Sequence, residues 1–293
     1  MSPKDTDFLD LSGVRPPTER ALLNADIFPI LKGMSPIHLR ILNEASRVMH
    51  VSKDVEMLHE GDAPHDMYFI ESGKLAIAKH VGTQLKIITQ LGAGNVYGEF
   101  GALRRKSRYA SAYTSEPCRI IRVELSAVQQ VLEVDAAFKK HLNALLTCRM
   151  LDSFFFSHPV FQELPADTRT ALAKELPIRF FERGSRIFSQ GNAPTGVYLI
   201  LSGEVEVRYL NKVKAEVLLE IRRDNDMIGE VVQKNGTALA YSAIAASDLD
   251  ALMLDKDTMS TLHQRHPQTF AQLENYINKR SERSVKRLRE NLG

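Results

Sequence analysis

A self-similarity at constant offset limits what this chain can fold into more than any other feature. Residues 54–79 read DVEMLHEGDAPHDMYFIESGKLAIAK, and residues 184–208 read GSRIFSQGNAPTGVYLILSGEVEVR. Gly61, Tyr68 and Gly73 fall on Gly191, Tyr198 and Gly203, each displaced by 130 positions, and Gly98-Glu99 falls on Gly229-Glu230, displaced by 131. An offset that holds over such a span implies duplication of a whole domain. The 293 residues are enough for two domains, each with its own core.

Both copies carry the same punctuation. A helical stretch comes first, Pro36 to Ser46 and Ala166 to Leu176. Short alternating strands follow, Met67–Ile70 and Leu75–Ala78 in one copy, Val197–Ile200 and Val205–Val207 in the other, separated by turn clusters such as Gly-Asp-Ala-Pro and Glu-Ser-Gly. Many short strands with glycine turns predict a mainly β fold with flanking helices, each copy a β-roll or jelly roll. Residues 125–156 place Val128, Val131, Leu132, Phe138, Leu142, Leu145 and Leu146 near a 3.6-residue period, which predicts one long helix joining the copies. The expected organisation is an N-terminal arm over 1–24, containing Pro16-Pro17, a first domain over 25–154, a second over 155–267 and a basic C-terminal helix over 268–293.

Charge excludes a global attraction to polyanions, because 38 Lys and Arg face 36 Asp and Glu. Cys118 and Cys148 have neither CxxC nor metal-ligand spacing. The first ten residues are unlike a signal peptide, and no apolar run approaches the roughly 20 residues that span a bilayer, so a cytoplasmic protein is expected. His59, Glu60 and His65 lack HExxH spacing, and His263 with His266 has no third ligand in view. No Gly-x-Ser-x-Gly elbow, Walker loop or Rossmann fingerprint occurs, and no enzyme, metal or cofactor is expected.

The chemistry lies in Gly98-Glu99-Phe100-Gly101-Ala102-Leu103, followed by Arg104-Arg105-Lys106-Ser107-Arg108-Tyr109-Ala110-Ser111. This resembles the phosphate-binding cassette of the cyclic-nucleotide-binding domain family, shared by catabolite activator proteins and protein kinase A regulatory subunits. Its pattern is Gly-Glu-Leu, a short helix, then Arg-small-Ala-Thr/Ser about nine residues after the Glu; Arg108 stands nine residues after Glu99, and Ala110-Ser111 match the tail. The resemblance implies that Arg108 holds the cyclic phosphate and Glu99 the ribose 2′-hydroxyl. Gly98 and Gly101 would then shape the loop, with Phe100, Tyr109, Ala110 and Ser111 completing the site. A fork-shaped guanidinium suits a phosphate with two exocyclic oxygens. Tyr109 departs from the pattern, since a small residue is usual after the arginine. A ring turned into the pocket would exclude nucleotide or reshape selectivity.

In the second copy Gly229-Glu230 is followed nine residues after the Glu by Leu239, so the guanidinium is missing and a structural or partner-binding copy is expected. The C-terminal segment sets Phe270, Leu273, Ile277, Val285, Leu288 and Leu292 against Lys279, Arg280, Arg283, Lys286, Arg287 and Arg289. It is read as a capping helix with a solvated basic face, or alternatively a dimerisation helix or a docking surface for an acidic partner. No helix-turn-helix follows, so direct DNA binding is not expected. The combined expectation is a cyclic-nucleotide receptor, for cAMP ahead of cGMP, that signals through conformational change to a protein effector. The alternatives are a ligand-free interaction scaffold and a cyclic di-GMP receptor using Arg104, Arg105 and Lys106.

Overall fold

The computed structural model describes residues 22–292 except 64, 82–83, 105–107, 163, 212–214 and 232–237. Most of the N-terminal arm therefore lies outside the described residues, as do Arg105, Lys106 and the side chains of Leu288, Arg289 and Leu292. The chain divides into two compact units, Met1–Leu146 and Thr147–Gly293.

Among the described residues the first unit has eight strands in two antiparallel sheets. They are β1 (Ser46–Val51), β2 (Glu56–Leu58), β3 (Asp66–Ser72), β4 (Leu75–Val81), β5 (Gln84–Leu91), β6 (Val96–Tyr97), β7 (Ser111–Thr114) and β8 (Cys118–Glu124). One sheet runs β1-β8-β3-β6 and the other β2-β7-β4-β5. Strand β3 shows how the sheets stack. Its alternation sends Met67 and Phe69 toward a core shared with helices and Tyr68 and Ile70 toward a second core between the sheets, so its centre is buried on both faces.

Helix α1 (Pro36–Glu44) opens on a proline, whose missing N–H costs nothing in the first turn. The predicted long helix is interrupted: α3 covers Leu125–Val134, Asp135 is non-helical at φ −104°, ψ 97°, and α4 runs Ala136–Ser157 as the joining helix. Asp135 makes the break by capping. Its Oδ1 accepts the Phe138 N–H at 2.9 Å, and its Oδ2 accepts the Ser35 N–H at 3.1 Å and lies 2.8 Å from His38 Nδ1. Burial opposes ionisation there, yet these partners hold the carboxyl below its usual range. Val128 and Val131 of α3 and Phe138 and Leu142 of α4 share one buried core with residues of β1, β3 and β8. A fully buried Phe138 contributes roughly 2–3 kcal/mol.

The second unit repeats the plan. After α5 (Ala166–Glu175) come β9 (Ile178–Phe181), β10 (Arg186–Phe188), β11 (Val197–Ser202), β12 (Val205–Leu210), β13 (Glu216–Arg222), β14 (Met227–Ile228), β15 (Ser242–Ala245) and β16 (Leu249–Leu254). Their orders, β14-β11-β16-β9 and β10-β15-β12-β13, match the first unit strand for strand. Helices α6 (Lys256–Arg265) and α7 (Pro267–Leu292) follow. Among the described residues, no helix is long and apolar enough to cross a membrane and no group of His, Cys, Asp and Glu could hold a metal. His59 instead meets Glu56, and Glu60 meets His80, each at 2.9 Å.

His158, after α4, is fully buried among Phe154, Phe161 and Tyr276, with Nε2 unpartnered. Burial first, then the nearby Arg280 cation, pushes its pKa from 6.5 to about 3. Below pH 6.5 the unfolded chain takes up a proton at this residue that the folded chain refuses. Its contribution is therefore complete above pH 6.5 and is lost at about 1.4 kcal/mol per pH unit toward pH 3. Urea midpoints followed by circular dichroism should show this slope for the second domain, and His158→Asn should flatten it.

Candidate functional site

The two cassettes share a backbone frame. In the first domain the Gly61 N–H donates to Arg108 O at 2.9 Å and the Arg108 N–H to Asp62 O at 2.7 Å. In the second, Gly191 donates to Leu239 O at 2.9 Å and Leu239 to Asn192 O at 2.8 Å. The serines ending each cassette match too: Ser111 Oγ accepts from Glu60 N–H and Ser242 Oγ from Gln190 N–H, both at 2.9 Å. Leu239 thus occupies the backbone position of Arg108.

Arg108 is only 4 % exposed. Its Nη2 donates to Asp66 O at 2.9 Å and its Nη1 to Gly98 O at 3.3 Å, while Nε is buried with no partner among the described residues. Burial lowers its pKa, against the opposing influence of Tyr68, Asp66, Tyr97 and Glu99. Glu99 is buried at the first position of α2 (Glu99–Arg104), and Phe100, Gly101 and Ala102 are buried behind it. Tyr97, just before the cassette, stacks on Tyr68 with ring centroids 4.7 Å apart, and its hydroxyl is a second buried polar atom without a partner. Ser111 is buried, whereas Tyr109 and Ala110 are half-buried.

Tyr109 is held on the cassette itself. Its ring lies 4.9 Å from that of Phe100, and Lys79 Nζ sits 3.5 Å from its centroid, a cation–π contact. Gly98 adopts φ +89°, and a Cβ there would stand 2.8 Å from both Arg108 Nη1 and Asp66 O. Gly98→Ala should destabilise the first domain by about 1–3 kcal/mol, read as a lowered urea midpoint.

In the second domain, buried polar side chains that no motif announces gather around Glu230. Arg222, at the end of β13, is 3 % exposed. It pairs with Val205 as Leu91 pairs with Leu75, so the first domain has leucine where the second has this arginine. Its Nη1 donates to Glu230 Oε1 at 2.7 Å and to Met227 O at 2.5 Å, its Nε to Glu220 Oε1 at 2.8 Å, and its Nη2 to Ser284 Oγ at 2.9 Å. Ser284, on α7, donates onward to Glu230 Oε1 at 2.7 Å. Tyr241, fully buried, donates its hydroxyl to Glu230 Oε2 at 2.7 Å and accepts the Gly229 N–H at 2.8 Å. Burial opposes the Arg222 charge, but Tyr241, Glu230 and Glu220 outweigh it and raise its pKa; burial also raises that of Tyr241. On the basic face of α7, Arg280 is half-buried and pairs with Asp226, while Arg287 stays exposed and pairs with Glu220 at 2.5 Å.

The family model for the cyclic nucleotide-binding domain matches residues 48–135 and 178–266, together more than half of the chain. A cAMP-dependent protein kinase regulatory subunit of Eremothecium gossypii is 24% identical over 212 residues, covering 72% of this chain and 43% of the relative. The Yarrowia lipolytica protein of the same description is 25% identical over 207 residues, covering 71% and 51%. The chain spans about half the length of the curated relatives it matches. Among solved structures, the regulatory domain of Toxoplasma gondii PKA with cAMP aligns at TM-score 0.38 and 19% identity over 86% of this chain and 92% of that one. A cyclic nucleotide-binding domain from Methylobacillus flagellatus aligns at TM-score 0.39 and 24% identity over 44% and 79%.

Proposed function

The chain belongs to the cyclic nucleotide-binding domain family, with two tandem copies, and from that premise we propose that it is a cAMP receptor whose first domain is the sensor. The observation that carries this reading is Arg108, a buried guanidinium with an unpartnered Nε, held beside Glu99 and Gly98 at the head of α2. A cation with no carboxylate among its hydrogen-bond partners is costly to bury, and a phosphate oxygen would offset that cost. In this reading Arg108 grips the phosphate, Glu99 accepts the ribose 2′-hydroxyl, Gly98 and Gly101 let the loop approach, and Phe100, Tyr109, Ala110 and Ser111 complete the wall.

The relatives described as regulatory subunits of a cAMP-dependent kinase support cAMP over a dinucleotide, and they support a kinase catalytic subunit as the protein partner. They also support a regulatory rather than a catalytic role. Ligand acts on such a partner only to the extent that it prefers one arrangement of the receptor over another. Domain limits of 25–154 and 155–267 are proposed on the same basis.

Calorimetric titration of the full chain with cAMP, cGMP and cyclic di-GMP tests the reading. One site per chain for a cyclic mononucleotide, tightest for cAMP, is the expected result. Two equivalent sites, or none, would sink it.

A further inference from the structure

Tyr241 stands in the cassette tail of the second domain. The tandem offset that pairs Glu230 with Glu99 and Leu239 with Arg108 pairs Tyr241 with Ala110, a small residue of the cassette tail. The aromatic ring therefore occupies space that the first domain leaves to a methyl group. It packs 5.5 Å from Phe188 within the core between the sheets. Its hydroxyl is fully satisfied, donating to Glu230 Oε2 and accepting from Gly229 N–H, with Arg222 Nη1 at 3.3 Å. Helix α7 joins through Ser284, which accepts from Arg222 Nη2 and donates to Glu230 Oε1, and Val285 packs against the same core.

We propose that the second domain is a self-occupied receptor: the Tyr241 hydroxyl takes the place of a ligand ribose hydroxyl on Glu230, and α7 is latched over the filled pocket by Ser284. This rests on reading Glu99 as the hydroxyl acceptor of the first domain. The occupant is covalently part of the chain, so it is always present and the latch has no soluble trigger. Every polar atom in the cluster depends on its neighbours: losing the phenol hydroxyl leaves Glu230 Oε2 and the Gly229 N–H short of a partner in a dry site. Two barriers then keep nucleotide out of this domain, the missing guanidinium at Leu239 and the resident ring at Tyr241.

Hydrogen exchange on the full chain reads the latch without any nucleotide. Tyr241→Phe removes one hydroxyl and should speed amide exchange across 276–287 at least tenfold, with the strands of the first domain unchanged. Should that variant lose the second domain altogether, Ser284→Ala cuts the latch from outside the core and should give the same acceleration. Unaltered exchange in α7 in the folded variants overturns the latch. Titration with cAMP reads the occupant. Leu239→Arg alone should stay at one cAMP per chain, whereas Leu239→Arg with Tyr241→Ala should rise to two. A second site in the single variant, or no gain in the double, removes Tyr241 from the role. If even the first domain binds no cAMP, the proposed receptor function fails, and the exchange rates alone decide whether α7 is latched.

Discussion

Arg108→Ala should lower affinity for cAMP by roughly a hundredfold to several thousandfold while leaving the first domain folded. The bound phosphate would lose its one guanidinium in a pocket where that side chain is 4 % exposed, and removing one partner of a buried charge pair costs about 3–5 kcal/mol. Stability should move little, because the backbone clasp with Gly61 and Asp62 does not involve the side chain and the substitution removes a buried cation whose acceptors among the described residues are carbonyls. Arg108→Lys separates charge from geometry: an ammonium keeps the charge but cannot fork to two oxygens, so it should fall between wild type and alanine. Calorimetry, with circular dichroism to confirm folding, checks all three forms. Binding by Arg108→Ala equal to wild type would mean that the ligand is held elsewhere.

Arg222→Ala should act in the opposite way, on stability rather than on binding. Arg222 is the common partner of Glu230, Glu220, Ser284 and the Met227 carbonyl. Its loss strands a fully buried Glu230 carboxylate, and breaking a buried pair from one side costs about 3–5 kcal/mol. That is a large share of the stability of a typical domain. Urea unfolding should show the transition of the second domain shifted to lower denaturant and that of the first unmoved. Arg222→Met together with Glu230→Gln removes both charges at similar volume and should recover much of the loss. A single substitution with no measurable effect would mean that solvent reaches the pair.

The strands and the cassette loop of the first domain were legible because their signals are local or repeated. Glycine turns, alternating apolar runs and the nine-residue spacing from Glu99 to Arg108 all lie within short windows, and duplication supplied each twice. The break in the predicted long helix was less visible because the apolar period runs through it. Its only local sign is an aspartate poised as a cap before Ala136, and its partners Ser35 and His38 lie some hundred residues away. The polar cluster on Glu230 was not legible at all. Arg222 sits at the end of an ordinary strand, Tyr241 in a cassette tail and Ser284 in a basic helix, and only the folded chain brings the three to Glu230. Leu239 announced what the site lacks, whereas the side chains that fill it had to be seen.

The paired backbone bonds at Arg108 and Leu239 bear on how such a protein can diverge. Each clasp is made wholly of main-chain N–H and C=O groups, of nearly equal length in the two domains. The scaffold at this point is therefore indifferent to the side chain it displays. Recognition can be lost in one step without disturbing the loop, and a duplicated gene can let one copy drift while the other stays under selection for its ligand. Around Leu239 this chain has instead a connected set of buried polar side chains, Arg222, Glu230, Tyr241 and Ser284.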